Sequence, residues 1–369
     1  MPSTTTSTSC QQPVHSQKTC SSPPQKTMNN NTARSPSSSS SSSTTSLIHS
    51  SSSLSNGEER KVPLLCRGHS RPVPMLSYGP ILSDDSFLLI SACLDGKPML
   101  RDGKTGDWIG TFVGHKGAVW SASLNHDATQ AITASADYSC KVWNAINGSE
   151  LFSFSHKRMV KCADFAMDGG RILSGGQEKL VRIFDLERPD ANPIELKGHK
   201  NPIRSAYWLP QDASICSASS DSKQIRIWDV RSSKMARTLS LPAPVKGITL
   251  SDDKTLLCAA SGKQVFFYST DDYRLVKQYS VPTKQTVRAV AIHPNRRYFV
   301  TGGSDFVVRM FDYDTGKQLE MHKGHHGPVH CIKFSPDAAT FGSSSEDGTI
   351  RLWLTQNQTY GLWKENKIN

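Results

Sequence analysis

"GHHGPVHCIKFSPDAATFGSSSEDGTIRLW", residues 324–353, brings together His325, Ser343 and Asp347, with Trp353 six places beyond the acid. A histidine, a hydroxyl and a carboxylate are the parts of an acyl-transfer site. Four histidines within nine residues (His322, His325, His326 and His330) also suggest a metal. Whether this spacing occurs once or many times decides between chemistry and architecture, because a constellation repeated along a chain cannot converge on one substrate.

The spacing recurs. His115 and Asp137, His156 and Glu178, and His199 and Asp221 stand as far apart as His325 and Asp347. A hydroxyl sits four residues before each acid: Thr133, Ser174, Ser217 and Ser343. A large aromatic follows six residues after the acid at Trp143, Phe184 and Trp353; in "DSKQIRIW" it comes one residue later, at Trp228. Partial copies hold Asp305 and Phe311, and Gly262 and Tyr268; a first copy has His69, Asp95 and Arg101 in place of the aromatic. That makes seven units.

Within a unit, "GAVWSASL", "QAITASA" and "CKVWNA" are short β-rich runs separated by Gly, Asp and Asn turns. About four strands at a period of about 40–46 residues is the signature of a WD-type propeller blade. The fold expected is therefore all-β, a seven-bladed WD40 β-propeller over residues 61–369. Its histidine belongs in the loop entering the first strand, its acid in the turn between the second and third, and its aromatic on the third. The expected network runs from His325 to Asp347 to Ser343 and Trp353, tying loop to turn and leaving no free nucleophile. The same role falls to the sets His115, Thr133, Asp137, Trp143; His156, Ser174, Glu178, Phe184; and His199, Ser217, Asp221, Trp228. No catalytic residue, cofactor or small-molecule substrate is expected, and no metal, since His325 is committed and no fixed partner completes a tetrahedron.

The last unit stops after its third strand at "RLW", while an apolar run, "VPLLC", precedes the first histidine. Residues 62–66 are thus expected to supply the outer strand of the final blade and close the ring. Residues 1–60 are Ser, Thr, Pro, Asn and Gln with few aliphatics, and are expected to form a disordered tail. A secretory leader and a membrane span are expected to be absent, for want of an apolar core of about 7–15 or about 20 residues. Nine scattered cysteines without a C-x-x-C fit reduced thiols, mostly small core residues. Of the net charge of +11, about nine units lie beyond the tail.

Loops on one face of a rigid disc are where a propeller binds. Five residues after the blade histidines come Trp120, Lys161, Arg204 and His330; Arg288 holds the equivalent place in the sixth unit and Lys246 lies one residue past it in the fifth. One aromatic among cations suits an acidic peptide. "TYGLWK" (359–364) adds Tyr360 and Trp363 in an amphipathic segment expected to pack on the disc, with a docking peptide as the alternative.

"ISACLDGKPMLRDGKTGDWIGTFVGHKGAVW" (90–120), "LSGGQEKLVRIFDL" (173–186), "GHHGPVHCIKFSPD" (324–337) and "TYGLWK" resemble a family of receptor-associated WD-repeat adaptors. The likeness covers nearly all of residues 62–364, and "DGKPMLR" with Arg101 lies outside the generic repeat. The resemblance implies a non-catalytic adaptor of cytoplasm and nucleus, associated with the survival-of-motor-neuron (SMN) complex that assembles small nuclear ribonucleoproteins for mRNA splicing. It also implies links to transforming-growth-factor-β (TGF-β) receptor signalling and to a cold-shock-domain RNA-binding protein. The partners implied are proteins, with acidic segments of that complex or an RNA-binding protein foremost, and RNA reached only indirectly. Two alternatives remain: a propeller like subunit i of translation initiation factor three, and a propeller that binds RNA directly. The second has net charge in its favour but lacks an RNP-type aromatic strand.

Overall fold

A computed structural model describes residues 62–355 of the chain. The tail, Tyr360 and Trp363 lie outside the described residues.

Seven four-stranded antiparallel sheets are arranged as blades, and in blades 1 to 6 the innermost strand comes first in sequence. Blades 1 to 6 begin with Met75–Tyr78, Val119–Leu124, Val160–Phe165, Ile203–Trp208, Val245–Leu250 and Val287–Ile292. Blade 7 takes Val329–Phe334, Thr340–Ser345 and Ile350–Leu354 from the end of the chain and Leu64–Cys66 from its start. Leu64 stands opposite Leu352, and Cys66 opposite Ile350. The ring is closed by the strand that the sequence left over, which satisfies the edge of Ile350–Leu354 with backbone bonds.

Burial peaks at the second strand of each blade and falls towards the rim. Thr340–Ser345, in the middle of blade 7, is wholly buried, whereas the outer strand Glu150–Ser155 of blade 2 is exposed at four of six positions. The cores lie between neighbouring blades: Ile90 and Leu100 of blade 1 pack with Val119, Leu124 and Trp143 of blade 2. Between blades 5 and 6, Phe299 stacks on Phe311 with centroids 4.9 Å apart and meets Phe267 edge-on at 5.2 Å. A fully buried Phe contributes about 1.5–3 kcal/mol, so these seams hold the disc together. Cys66, Cys93, Cys140, Cys162, Cys216 and Cys258 are buried as free thiols and Cys331 is half-buried.

Each turn between second and third strands needs one left-handed residue. In blades 2, 3 and 6 it is the residue after the acid: Tyr138, Lys179 and Phe306, with φ of 68°, 66° and 67°. In blade 7 Gly348 takes the place at no steric cost.

Candidate functional site: buried tetrads and a cationic mouth

In blade 7 the Nδ1 of His325 lies 3.1 Å from an Asp347 oxygen, its Nε2 lies 2.7 Å from Ser343 Oγ, and Trp353 Nε1 donates to that same Oγ at 2.8 Å. Blade 2 repeats this with Asp137, His115, Thr133 and Trp143 at 2.7, 2.6 and 2.8 Å. The order is therefore acid, imidazole, hydroxyl, indole, with the histidine and not the acid in the middle. This corrects the expected connectivity. With Nδ1–H aimed at the carboxylate, Nε2 accepts the hydroxyl proton.

Acid, imidazole and hydroxyl are linked as in an acyl-transfer triad, yet the hydroxyls of Ser343 and Thr133 are fully buried. The indole fills their oxygen from the other side, leaving no approach for a substrate. Burial lowers the proton affinity of His325, and Asp347 offsets this only in part. Burial also pushes the Asp137 carboxyl up, but bonds from Ser139, His115 and the Lys116 amide outweigh it and bring the group down to about 2. The acid stays ionised as an anchor for the loop, whose Lys116 amide donates to it at 3.0 Å.

Two other sets depart from the expectation. In blade 3, His156 Nε2 meets Ser174 Oγ at 2.8 Å, but its Nδ1 faces the Phe154 carbonyl at 3.0 Å. Glu178 is turned to Arg182, which donates twice to it at 2.8 and 2.6 Å, and to the Lys157 amide. Phe184 has no donor to offer. In blade 4, His199, Ser217 and Trp228 are linked at 2.6 and 2.8 Å, and Asp221 is outside the network. The extra residue in its turn makes Asp221 itself the left-handed residue, with φ of 57°. Its carboxylate reaches Lys246 of the next blade at 3.1 Å.

Two further sets were only partly legible. In blade 6 Thr283 stands where a histidine would, and its Oγ1 donates to Asp305 at 2.8 Å. The spacing of 22 was the signal for it. In blade 1, His69 meets Ser91 at 2.8 Å and Asp95 at 3.4 Å. Arg101, almost fully buried, donates to the Arg67 and Gly106 carbonyls.

His69, Cys93 and Asp95 are the group of possible metal ligands among the described residues. Burial pushes the Cys93 thiol up to about 12, and it donates to the Arg71 carbonyl. A protonated thiol is a poor ligand. Of the histidine cluster, His325 is held in its tetrad, His330 faces Glu346 at 2.5 Å and His322 faces Glu320 at 3.2 Å.

At one mouth of the central channel, Trp120, Lys161, Arg204, Lys246, Arg288 and His330 all line a cavity of about 300 Å³. Each is the second residue of its innermost strand, on blades 2 to 7 in turn. The pairing register skips each of them: it shifts between Val119 and Ser121, Val160 and Cys162, Ile203 and Ser205, Val245 and Gly247, Val287 and Ala289, and Val329 and Cys331. Six β-bulges thus take one residue per blade out of the strand's alternation, and such a bulge re-aims a side chain. Lys246 occupies the same position as the other five and is not one residue past it. Pro74 lines the cavity from blade 1.

The cations are contiguous. Lys161 Nζ lies over the Trp120 ring, 4.9 Å from its centroid. Burial, and then Arg204, lower the proton affinity of Lys161; burial, and then Arg288, lower that of Arg204. Arg288 donates to Ser304 at 2.8 Å and approaches His330 at 3.5 Å. The opposite mouth, about 330 Å³, is of mixed sign, with Asp164 and Asp252 against Lys254 and Lys333. Burial pushes Asp164 up to about 6.

Fold and site together define a propeller that presents one cationic face. Residues 106–144, 148–185, 193–229, 274–312 and 316–353 match the family described as WD domain, G-beta repeat, and the chain belongs to the WD-repeat family. Over 306 residues it is 46% identical to serine-threonine kinase receptor-associated protein of Rattus norvegicus, covering 83% of this chain and 86% of the relative. The protein of the same name from Dictyostelium discoideum is 48% identical over 79% of this chain and 98% of its own. Eukaryotic translation initiation factor 3 subunit I of Nematostella vectensis is more distant, at 27% over 79% of this chain and 95% of the relative. Among the described residues no helix is long and apolar enough to cross a membrane.

Proposed function

We propose that the protein is a non-catalytic scaffold of cytoplasm and nucleus that docks an acidic segment of a partner protein on the cationic mouth. The observation that carries this reading is the placement of four cations, His330 and Trp120 at six equivalent bulges around one cavity. A tryptophan and arginines at the centre of a rigid face are the side chains that most often dominate interface energy. The name of the relatives, serine-threonine kinase receptor-associated protein, supports a role in multiprotein assembly. In its finer form the reading is an adaptor of the SMN complex in small nuclear ribonucleoprotein assembly, with a part in TGF-β receptor signalling. RNA is reached through protein partners.

Affinity purification of the full chain beside residues 61–369, followed by mass spectrometry, tests this. Recovery of Sm-assembly proteins by both is the expected result. Recovery of ribosomal and initiation-factor proteins instead would replace the reading with the translation-factor one.

A further inference from the structure

Lys161, Arg204 and Arg288 lie on blades 3, 4 and 6 around the cavity; among the described residues none makes an ion pair at contact distance, Asp221 acting on Lys161 and Arg204 only from further off while it binds Lys246. The other charges are matched: Lys246 has Asp221 at 3.1 Å, and His330 has Glu346 at 2.5 Å. The indole N–H of Trp120, at the same mouth, is buried without an acceptor. Burial first, and then repulsion from Arg204 on Lys161 and from Arg288 on Arg204, lowers the proton affinities of Lys161 and Arg204, and the more distant Asp221 carboxylate offsets this only in part.

Resting on the docking reading above, we infer that the mouth is a receptor for the phosphoryl group of a phosphoserine or phosphothreonine in the partner segment. A carboxylate brings a single negative charge, whereas a phosphomonoester brings about −1.5 to −2 at pH 7 and three strong acceptor oxygens. Three cations spread over three blades match three oxygens radiating from one phosphorus, and planar guanidinium groups bind phosphate oxygens in pairs. Ser205, Gly247 and Ala289 line the same cavity of about 300 Å³ beside the cations. A nucleic-acid strand fits less well, because it needs a groove that tracks successive phosphates with aromatics to stack bases. Here the cations line a single cavity and not a groove that tracks a strand, and among the described residues Trp120 and Tyr207 are its only aromatic residues besides His330.

The test measures fluorescence anisotropy of the full chain with labelled Ala-Gly-X-Gly-Ala, where X is phosphoserine, glutamate or serine, and with a twelve-nucleotide oligo(U). Binding of the phosphoserine peptide at least about tenfold tighter than the glutamate peptide is expected, from the added charge-assisted bonds. Arg204→Ala and Lys161→Gln should each lose most of that preference, while Lys234→Gln on the outer strand of blade 4 keeps it. Lys161→Gln, at a less buried side chain, gives the answer should Arg204→Ala fail to fold. Equal affinity for phosphoserine and glutamate would overturn the phosphoryl assignment and leave the acidic-segment reading standing. Equal affinity for phosphoserine and serine would overturn both. Tighter binding of oligo(U), lost in the same variants, would assign the mouth to RNA.

Discussion

Ser343 Oγ donates a hydrogen bond to His325 and accepts one from Trp353, so the side chain that looked like a nucleophile is a junction between two buried rings. Replacing it by alanine strands both ring nitrogens, at about 1–3 kcal/mol for each unsatisfied group. Urea unfolding of Ser343→Ala should show a loss of about 2–6 kcal/mol, the sum over the two groups. Asp221→Asn, which keeps a side chain that tolerates the left-handed backbone, should stay within about 0.5 kcal/mol, because that carboxylate is exposed and outside its network. The two acids read alike in sequence; only the extra residue in "DSKQIRIW" hinted at the difference, since it changes which residue must be left-handed. Glu178 was harder to read, because its partner Arg182 lies on the strand and not in the motif. The buried histidines also set an acid limit. Burial, and then Arg182 for His156 and Arg226 for His199, bring both down to about 4. Their folded pKa lies below the unfolded value, so the folded state prefers the neutral ring. The stability this confers is fully present above about pH 6.5 and is lost as pH falls towards 4. Melting temperature should therefore drop across that window, before Asp137, held down at about 2, begins to protonate.

At the scale of the strand, the period of alternating runs gave blades, but alternation alone cannot show a bulge. Counting from the histidine found Trp120, Lys161, Arg204 and His330. It misplaced Lys246, because the fifth unit has no histidine from which to count. The register shifts restore all six to one position. Closure was legible because the last unit lacked a strand and a spare apolar run precedes the first histidine. Leu64–Cys66 carries backbone pairing and buries Cys66 against Ile350 and Leu352. Replacing Leu64, Leu65 and Cys66 with glycine removes several kcal/mol of burial and exposes an edge. A fall of at least about 5 °C in melting temperature is expected, measured by calorimetry. An unchanged melt would mean that the ring does not depend on this strand.

For the whole molecule, the seven sheets fix a disc on which chemistry is confined to surfaces, and the two mouths differ in sign. Mixed charge at one and unneutralised cations at the other single out the face for a negative partner. Docking there should weaken as salt rises, because exposed charges are screened within about 10 Å at 0.1 M. The most direct measurement compares partner recovery by the native chain and by Lys161→Glu/Arg204→Glu/Arg288→Glu, with melting temperature followed in parallel. None of the three makes an ion pair at contact distance among the described residues, so the reversal removes no native salt bridge there. Recovery should fall at least about tenfold, since opposing charges at an interface cost more than about 1.4 kcal/mol, while the folded disc persists. Undiminished recovery by a folded variant would contradict the account and move the docking surface to the rim or the opposite mouth.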